Sequence, residues 1–297
     1  MSGRVLVTGA TGFVGGHVVH ALRAEQREIR CLVRSQQSAQ TLRAWGCELF
    51  QGDVTDAASL RRATAGCDAV VHLVAIIAGR REDFRRVMEQ GTRDLVAAAQ
   101  EAGVRRFVLM SALGTSEESK DLVPYYAAKW EMEQAVRAAG SEHVILRPSF
   151  VFGRDGGVLP TFIRQVRWSP VTTVVGDGRR RLQPIWVEDL AAYTAQAIDL
   201  PAAAGRTFEL GGPDQVTWNE LYAEIKRVLG LRRPTVNVPI GLVRLAAALA
   251  ERLPSPPLTR DQLTMLAAAD NVCDMRPALE TFGIPVIPLD DQIRRAV

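Results

Sequence analysis

The amino-acid sequence predicts an α/β protein: a doubly wound parallel sheet carrying a smaller C-terminal α/β lobe. Three observations lead there. Short β-branched runs alternate with amphipathic helical stretches through the first 150 residues, at the lengths that build βαβ units. A glycine-spaced turn joins the first strand to the first helix. After Pro148 the alternation gives way to a Gly- and Pro-rich texture and later returns.

Residues 4–8 read as a buried strand and 13–24 as a helix. A second strand at 29–33 precedes a short helix at 38–45, a weaker strand at 48–51 and a helix at 57–65. An apolar strand at 69–74 leads to a long helix at 84–102, a strand at 106–110 and a helix at 125–139. Residues 144–146 form the sixth strand. Right-handed crossovers between parallel strands cover both faces of such a sheet. Further on, 187–197 reads as a helix and 207–210 as a strand returning to the sheet. Helices follow at 218–229 and 239–253, then a proline-rich turn from Pro254 and a helix beginning near Thr259. The expected organisation is a first domain over 1–150, its sheet completed by elements near 186–212, and a smaller interleaved lobe over 151–297.

Composition narrows the classes. Of 297 residues, 47% are hydrophobic and 23% charged, which excludes disorder, collagen-like repeats and coiled coil. No apolar run approaches the 18 residues of a spanning helix and no cleavable leader is evident, so a cytoplasmic protein is expected. Only Lys120, Lys129 and Lys226 are lysine among the 36 basic residues, leaving 33 arginines. The net charge is a modest +3, with the arginines mixed among 33 acids. That pattern argues against a nucleic-acid partner, which calls for a clustered basic face. Cys31, Cys47, Cys67 and Cys273 lack C-x-x-C spacing, and the four histidines lack metal-ligand spacing. No metal site is expected.

The strongest local signal is VTGATGFVG over residues 7–15. Gly9, Gly12 and Gly15 remove side chains where a pyrophosphate would approach the backbone. Thr11, Phe13 and Val14 complete the loop, and the helix start offers free N–H donors to phosphates. A bare strand-to-helix turn would use the same glycines, but the order strand, loop, helix favours a Rossmann dinucleotide site. The second strand ends CLVR, and no acid occurs from 29 to 41. An acid there would bind the ribose 2′-OH of NAD, whereas Arg34 suits the 2′-phosphate of NADP. NADP(H) is therefore expected over NAD(H).

Tyr125 and Lys129 match Y-x-x-x-K at the start of a helix. Positions i and i+4 share one face, so phenol and ammonium can share a pocket. The ammonium is expected to lower the phenol pKa, making Tyr125 an acid or base, and to hold the nicotinamide ribose. The bland alternative is a core aromatic beside a snorkelling lysine. Tyr126 is one residue out of register.

The G-x-x-G-x-x-G spacing together with Y-x-x-x-K resembles the extended and atypical short-chain dehydrogenase/reductases, the NAD-dependent epimerase/dehydratase superfamily. The resemblance implies that Asp53 and Val54 lie beside the adenine and that Leu73, Val74 and Ala75 run behind the cofactor. It adds Pro148 and Phe150, within LRPSFVFG over 146–153, to the cofactor contacts. These families add a serine or threonine after the fifth strand; here Ala112 takes that place and Ser111 the one before it. Ser111 is the candidate substitute. MSALG at 110–114 and PLTRDQLTML at 257–266 are most similar to the group of the complex I alpha-subcomplex subunit 9. That likeness implies an NADP(H)-dependent oxidoreductase or epimerase/dehydratase-like enzyme on an unknown carbonyl, hydroxyl or quinone-related small molecule. It also leaves open a non-catalytic NADPH-binding accessory or sensing protein linked to complex I or ubiquinone synthesis. Substrate choice is expected of the smaller lobe, around 149–153 and 179–183. The apolar stripe of 239–253 would pack on its own core or meet a membrane surface.

Overall fold

A computed structural model describes residues 3–250 and 259–297 of the chain. Seven strands form the central sheet. They are β1 (Val5–Thr8), β2 (Ile29–Val33), β3 (Glu48–Gln51), β4 (Ala69–His72), β5 (Arg106–Met110), β6 (Glu142–Pro148) and the strand Arg206–Leu210. The order is Arg206–Leu210, β6, β5, β4, β1, β2, β3, and every neighbouring pair is parallel. The winding reverses between β1 and β4, which opens a crevice outside the carboxyl ends of those two strands.

Every residue of β1, β2, β4 and β5 is buried, as expected of a parallel sheet covered on both faces. The flanking helices are α1 (Phe13–Ala24), α2 (Gln40–Ala44), α3 (Ala57–Thr64), α4 (Arg81–Phe84), α5 (Gly91–Glu101) and α6 (Pro124–Ala138). Leu6 joins a cluster with Leu60 of α3, Leu95 of α5 and Met132 of α6. The two-residue period then turns Val5 and Val7 to the other face, where α1 packs against the helix Val187–Gln196.

Most bounds agree with the sequence reading, and the departures have local causes. β4 ends at His72 rather than at residue 74. Leu73 still donates its N–H to Thr8, but beyond Thr8 the neighbouring chain has turned into the glycine loop and offers no ladder. A π-helical stretch, Arg85–Gln90, joins α4 to α5, so the helix expected at 84–102 is a composite.

The chain divides into two compact units. The first runs through Pro148 and adds Val187–Leu210 and Arg276–Pro285. Its helix Arg276–Phe282 sets Phe282 edge-on to Phe208, with ring centroids 4.9 Å apart. The second comprises Ser149–Trp186, Gly211–Met275 and Val286–Val297. Its core gathers Phe152, Leu159, Ile163, Trp186, Trp218 and Tyr222. The helix Trp218–Leu229 opens on a Thr217–Glu220 capping box and closes at Gly230, whose φ is +65°. The helix Leu159–Trp168 was not expected from the sequence, because its Pro160 and glycine-rich approach look like a loop. Proline suits a helix's first turn. Short helices at Arg276–Phe282 and Leu289–Ala296 also went unpredicted. The helix expected at 239–253 is Ile240–Ala250; its expected end and the turn from Pro254 lie outside the described residues. Thr259 caps the next helix, Arg260–Ala268. Among the described residues no helix is long and apolar enough to cross a membrane.

His72 stands opposite Thr8 in the β1–β4 register and is fully buried. Its Nδ1 lies 2.6 Å from the Thr8 hydroxyl and its Nε2 3.0 Å from the Thr92 hydroxyl. Thr92 donates its own proton to the Met88 carbonyl, so it accepts from Nε2–H, and Nδ1 accepts from Thr8. Burial, with the Lys129 charge in support, lowers the His72 pKa to about 3. Between about pH 6.5 and that value the unfolded chain binds a proton that the native chain refuses, so stability falls as pH falls, by up to ~1.4 kcal/mol per pH unit. Urea unfolding at pH 7 and pH 5 is therefore expected to show a smaller acid loss for His72→Gln than for the wild type. Equal losses would contradict the buried neutral imidazole.

Candidate cofactor and catalytic site

The chain leaves β1 through Gly9, whose φ of +78° lies in the left-handed region. A Cβ on Gly9 would stand 3.1 Å from the backbone of Leu73 and Val74. One on Gly15 would collide with the Gly9 carbonyl oxygen and sit 2.8 Å from the Ala10 Cα. Gly12 caps α1 with extended backbone and no side-chain bond, and its N–H donates to Gly9 at 3.0 Å. The N–H groups of the first turn, from Phe13 to Gly15, thus keep their donor capacity and the positive end of the helix dipole. Thr11 and Gly12 are exposed, while Phe13 and Val14 are half-buried. A bare cradle that admits no Cβ, at a helix N-terminus on the switch point of the sheet, fits a pyrophosphate.

The remaining cofactor candidates fall at the carboxyl ends of neighbouring strands. Arg34 directly follows β2, is exposed, and makes no hydrogen bond or ion pair among the described residues. Asp53 follows β3 and accepts the N–H and hydroxyl of Thr55 on Oδ1, at 2.9 and 2.8 Å. Val54 is buried against α5, where a Cβ on Gly91 would lie 3.1 Å from the Val54 carbonyl. Leu73 and Val74 are half-buried and Ala75 exposed. Pro148 ends β6 and accepts the Leu113 N–H at 2.9 Å. Phe150 belongs to the second unit, where its ring meets Trp218 edge-on at 5.5 Å.

Pro124 opens α6, which fixes Tyr125 in the first turn and Lys129 one turn later. The Lys129 ammonium lies 5.8 Å from the centre of the Tyr125 ring. Lys129 is only 2% exposed and donates to the Met110 carbonyl at 2.7 Å. Burial brings its pKa down to about 8, opposed by the charge of Glu133. The Tyr125 phenol moves the other way from expectation. Burial raises its pKa, and Tyr126 adds to the rise; desolvation outweighs the nearby ammonium, so the phenol holds its proton at neutral pH. Tyr126 turns its hydroxyl toward the Leu113 carbonyl, 3.5 Å away.

Ser111 is buried, and its hydroxyl donates to Glu133 at 2.5 Å. Ala112, half-buried, carries no hydroxyl. Sequence reasoning missed Glu133 altogether. This fully buried carboxylate accepts two bonds from Arg147 and one from Arg137, each at 2.8 Å. The Lys129–Glu133 spacing of four on a buried helix face was the available signal.

A phosphate cradle at the switch point of a parallel sheet, with a Tyr–Lys pair on the crossover helix after β5, defines a nicotinamide-dinucleotide-binding protein of Rossmann type. The chain matches the model of the NAD dependent epimerase/dehydratase family over residues 5–211, and it belongs to that family. It is 34% identical to the ceramide reductase of Caulobacter vibrioides over 84% of this chain and 78% of that protein. Identity to the mitochondrial NADH dehydrogenase [ubiquinone] 1 alpha subcomplex subunit 9 of Rattus norvegicus is 29%, over 96% of this chain and 77% of that subunit. The fold is shared with an NADPH-dependent quinone oxidoreductase of Escherichia coli, at 22% identity and a TM-score of 0.79, covering 97% of this chain and 98% of that one.

Because Gly15 has no room for a side chain, Gly15→Val is expected to weaken nicotinamide-dinucleotide binding at least about tenfold, or about 1.4 kcal/mol. Titration calorimetry on the folded variant measures this. Unchanged affinity would remove the loop from the cofactor site.

Proposed function

We propose that the chain is an NADP(H)-dependent oxidoreductase that reduces or oxidises a carbonyl or hydroxyl group on a small-molecule or quinone-related substrate. The observation that carries this reading is the Tyr125–Lys129 pair on α6, its ammonium seated on the carboxyl end of β5. When bound, the nicotinamide would supply or accept a hydride. Gly9, Gly12 and Gly15 would hold its pyrophosphate, Asp53 would lie at the adenine, and Lys129 at the ribose. Tyr125 would donate the phenolic proton to a carbonyl oxygen in the reductive direction and take back a hydroxyl proton in the oxidative one. The reductase among the relatives supports the same chemistry.

Arg34 supports NADP(H) over NAD(H): it is an exposed guanidinium where an acid would otherwise bind the 2′-OH. Arg34→Ala is expected to lower NADPH affinity about tenfold or more and leave NADH within about twofold, by parallel calorimetric titrations. Equal losses for both would withdraw the preference. Tyr125→Phe is expected to abolish turnover of a carbonyl substrate while NADPH affinity stays within a few-fold. Loss of both together would make the phenol structural.

Ala112 and the engagement of Ser111 by Glu133 favour a second reading, a non-catalytic NADPH-binding accessory or sensing protein. The likeness to a complex I subunit supports it. Helix Ile240–Ala250 leaves Leu242 and Leu245 more than half exposed beside Arg244, a surface suited to a membrane or partner protein. The two readings separate on whether NADPH is consumed by carbonyl and quinone substrates or stays bound unchanged.

A further inference from the structure

Glu133 lies one helical turn beyond Lys129, yet the two form no ion pair. Four donors fill the carboxylate instead: the Ser111 hydroxyl, Nε and Nη2 of Arg147, and Nη2 of Arg137. That number matches the lone-pair sites a carboxylate offers. Ser111 in turn is anchored through its backbone N–H to Leu146 at 2.7 Å. It directly follows Met110, whose carbonyl holds the Lys129 ammonium. The end of β5 is therefore pinned to α6 from two sides, while two of the three ammonium protons stay uncommitted.

We propose that Glu133 is a positioning residue for Lys129. It ties Ser111, and with it the Met110 carbonyl, to α6, and its saturation by two arginines keeps it from capturing the ammonium. This deepens the reading of Lys129 as the group that faces ribose and phenol, and rests on it. The charge of Glu133 reaches Lys129 through space, whereas its lone pairs do not.

The other groups around Lys129 are consistent with this division. Tyr125 and Tyr126 share its helix, and His72 on β4 is neutral. Arg147 on β6 also reaches Glu209 at 3.5 Å. Against α6 also pack α5, the Arg85–Gln90 stretch and α4, whose Arg81 and Glu82 are exposed and whose Asp83 is half-buried. They bring Arg93, paired with Glu131 at 2.6 Å, and Glu89, whose pKa burial and Glu131 raise. Glu133 is thus the one buried carboxylate among these groups.

With only three lysines in the chain, full-length protein grown on lysine enriched in ¹³C at the ε position gives resolvable signals that can be followed against pH. Lys120 and Lys226 serve as internal controls. Lys129 is expected to titrate near 8 in the wild type. In Glu133→Gln the supporting charge is gone and two arginines remain, so the midpoint is expected at least about one pH unit lower. In Arg147→Gln the carboxylate is freed to pair with the ammonium, and the midpoint is expected to rise. A folded Glu133→Gln protein with an unmoved Lys129 midpoint overturns the proposal. Should that variant not fold, Arg147→Gln decides alone, and an unmoved or lowered midpoint overturns it. NADPH titration of the wild type is read separately. Midpoints that move as expected without any NADPH binding uphold the positioning role and sink the cofactor reading instead.

Discussion

A carboxylate with no contact with water must be neutralised and fully hydrogen-bonded by its surroundings, or it destabilises the fold by several kcal/mol. Glu133 meets that demand by drawing on three elements at once. Arg137 comes from its own helix, Ser111 from the chain just past β5, and Arg147 from β6. The arginines then reach outward, Arg137 to the Thr207 hydroxyl and Arg147 to Glu209, which carries the network to the last strand of the sheet. The cluster thereby ties α6, and with it Tyr125 and Lys129, to the end of β5, to β6 and to the strand Arg206–Leu210.

The opposite wall of the crevice is governed by close backbone approach rather than by charge. Gly9 brings the loop against Leu73 and Val74, and Gly15 lets α1 start beneath the Gly9 carbonyl. Thr8 and His72 close the floor with a hydrogen-bonded pair that carries no net charge. A neutral floor leaves the field in this part of the first unit to the Lys129 ammonium and the α1 N-terminus. Both are positive and both suit an anionic ligand.

The sequence made much of this legible because the information was local. The bounds of β2, β3, β5 and α1 coincide with those read from periodicity, since each is a continuous apolar run or an amphipathic stripe closed by turn residues. The glycine loop and the Tyr–Lys pair were readable for the same reason. The Glu133 cluster was legible only in part: Lys129, Glu133 and Arg137 share a spacing of four, but Ser111 and Arg147 stand 22 and 14 residues from Glu133 and nothing local marks them as its partners. The two-residue strands Val151–Phe152, Ile185–Trp186 and Val216–Thr217 are too short to show a period. Spacing shows the charge that neighbours Tyr125 but not the desolvation of its phenol, which acts in the opposite direction.

The scarcity of lysine has a practical side. One of the three side-chain amines is sealed against the Met110 carbonyl. The other two lie apart in the chain's organisation, Lys120 in the first unit beside Trp130 and Lys226 in the second beside Thr235. Lysine-directed reagents therefore meet one partly exposed side-chain amine on each unit, whereas Lys129 is only 2% exposed. Acylation of those two side chains puts a label on each half of the molecule, in addition to the α-amine that any chain carries.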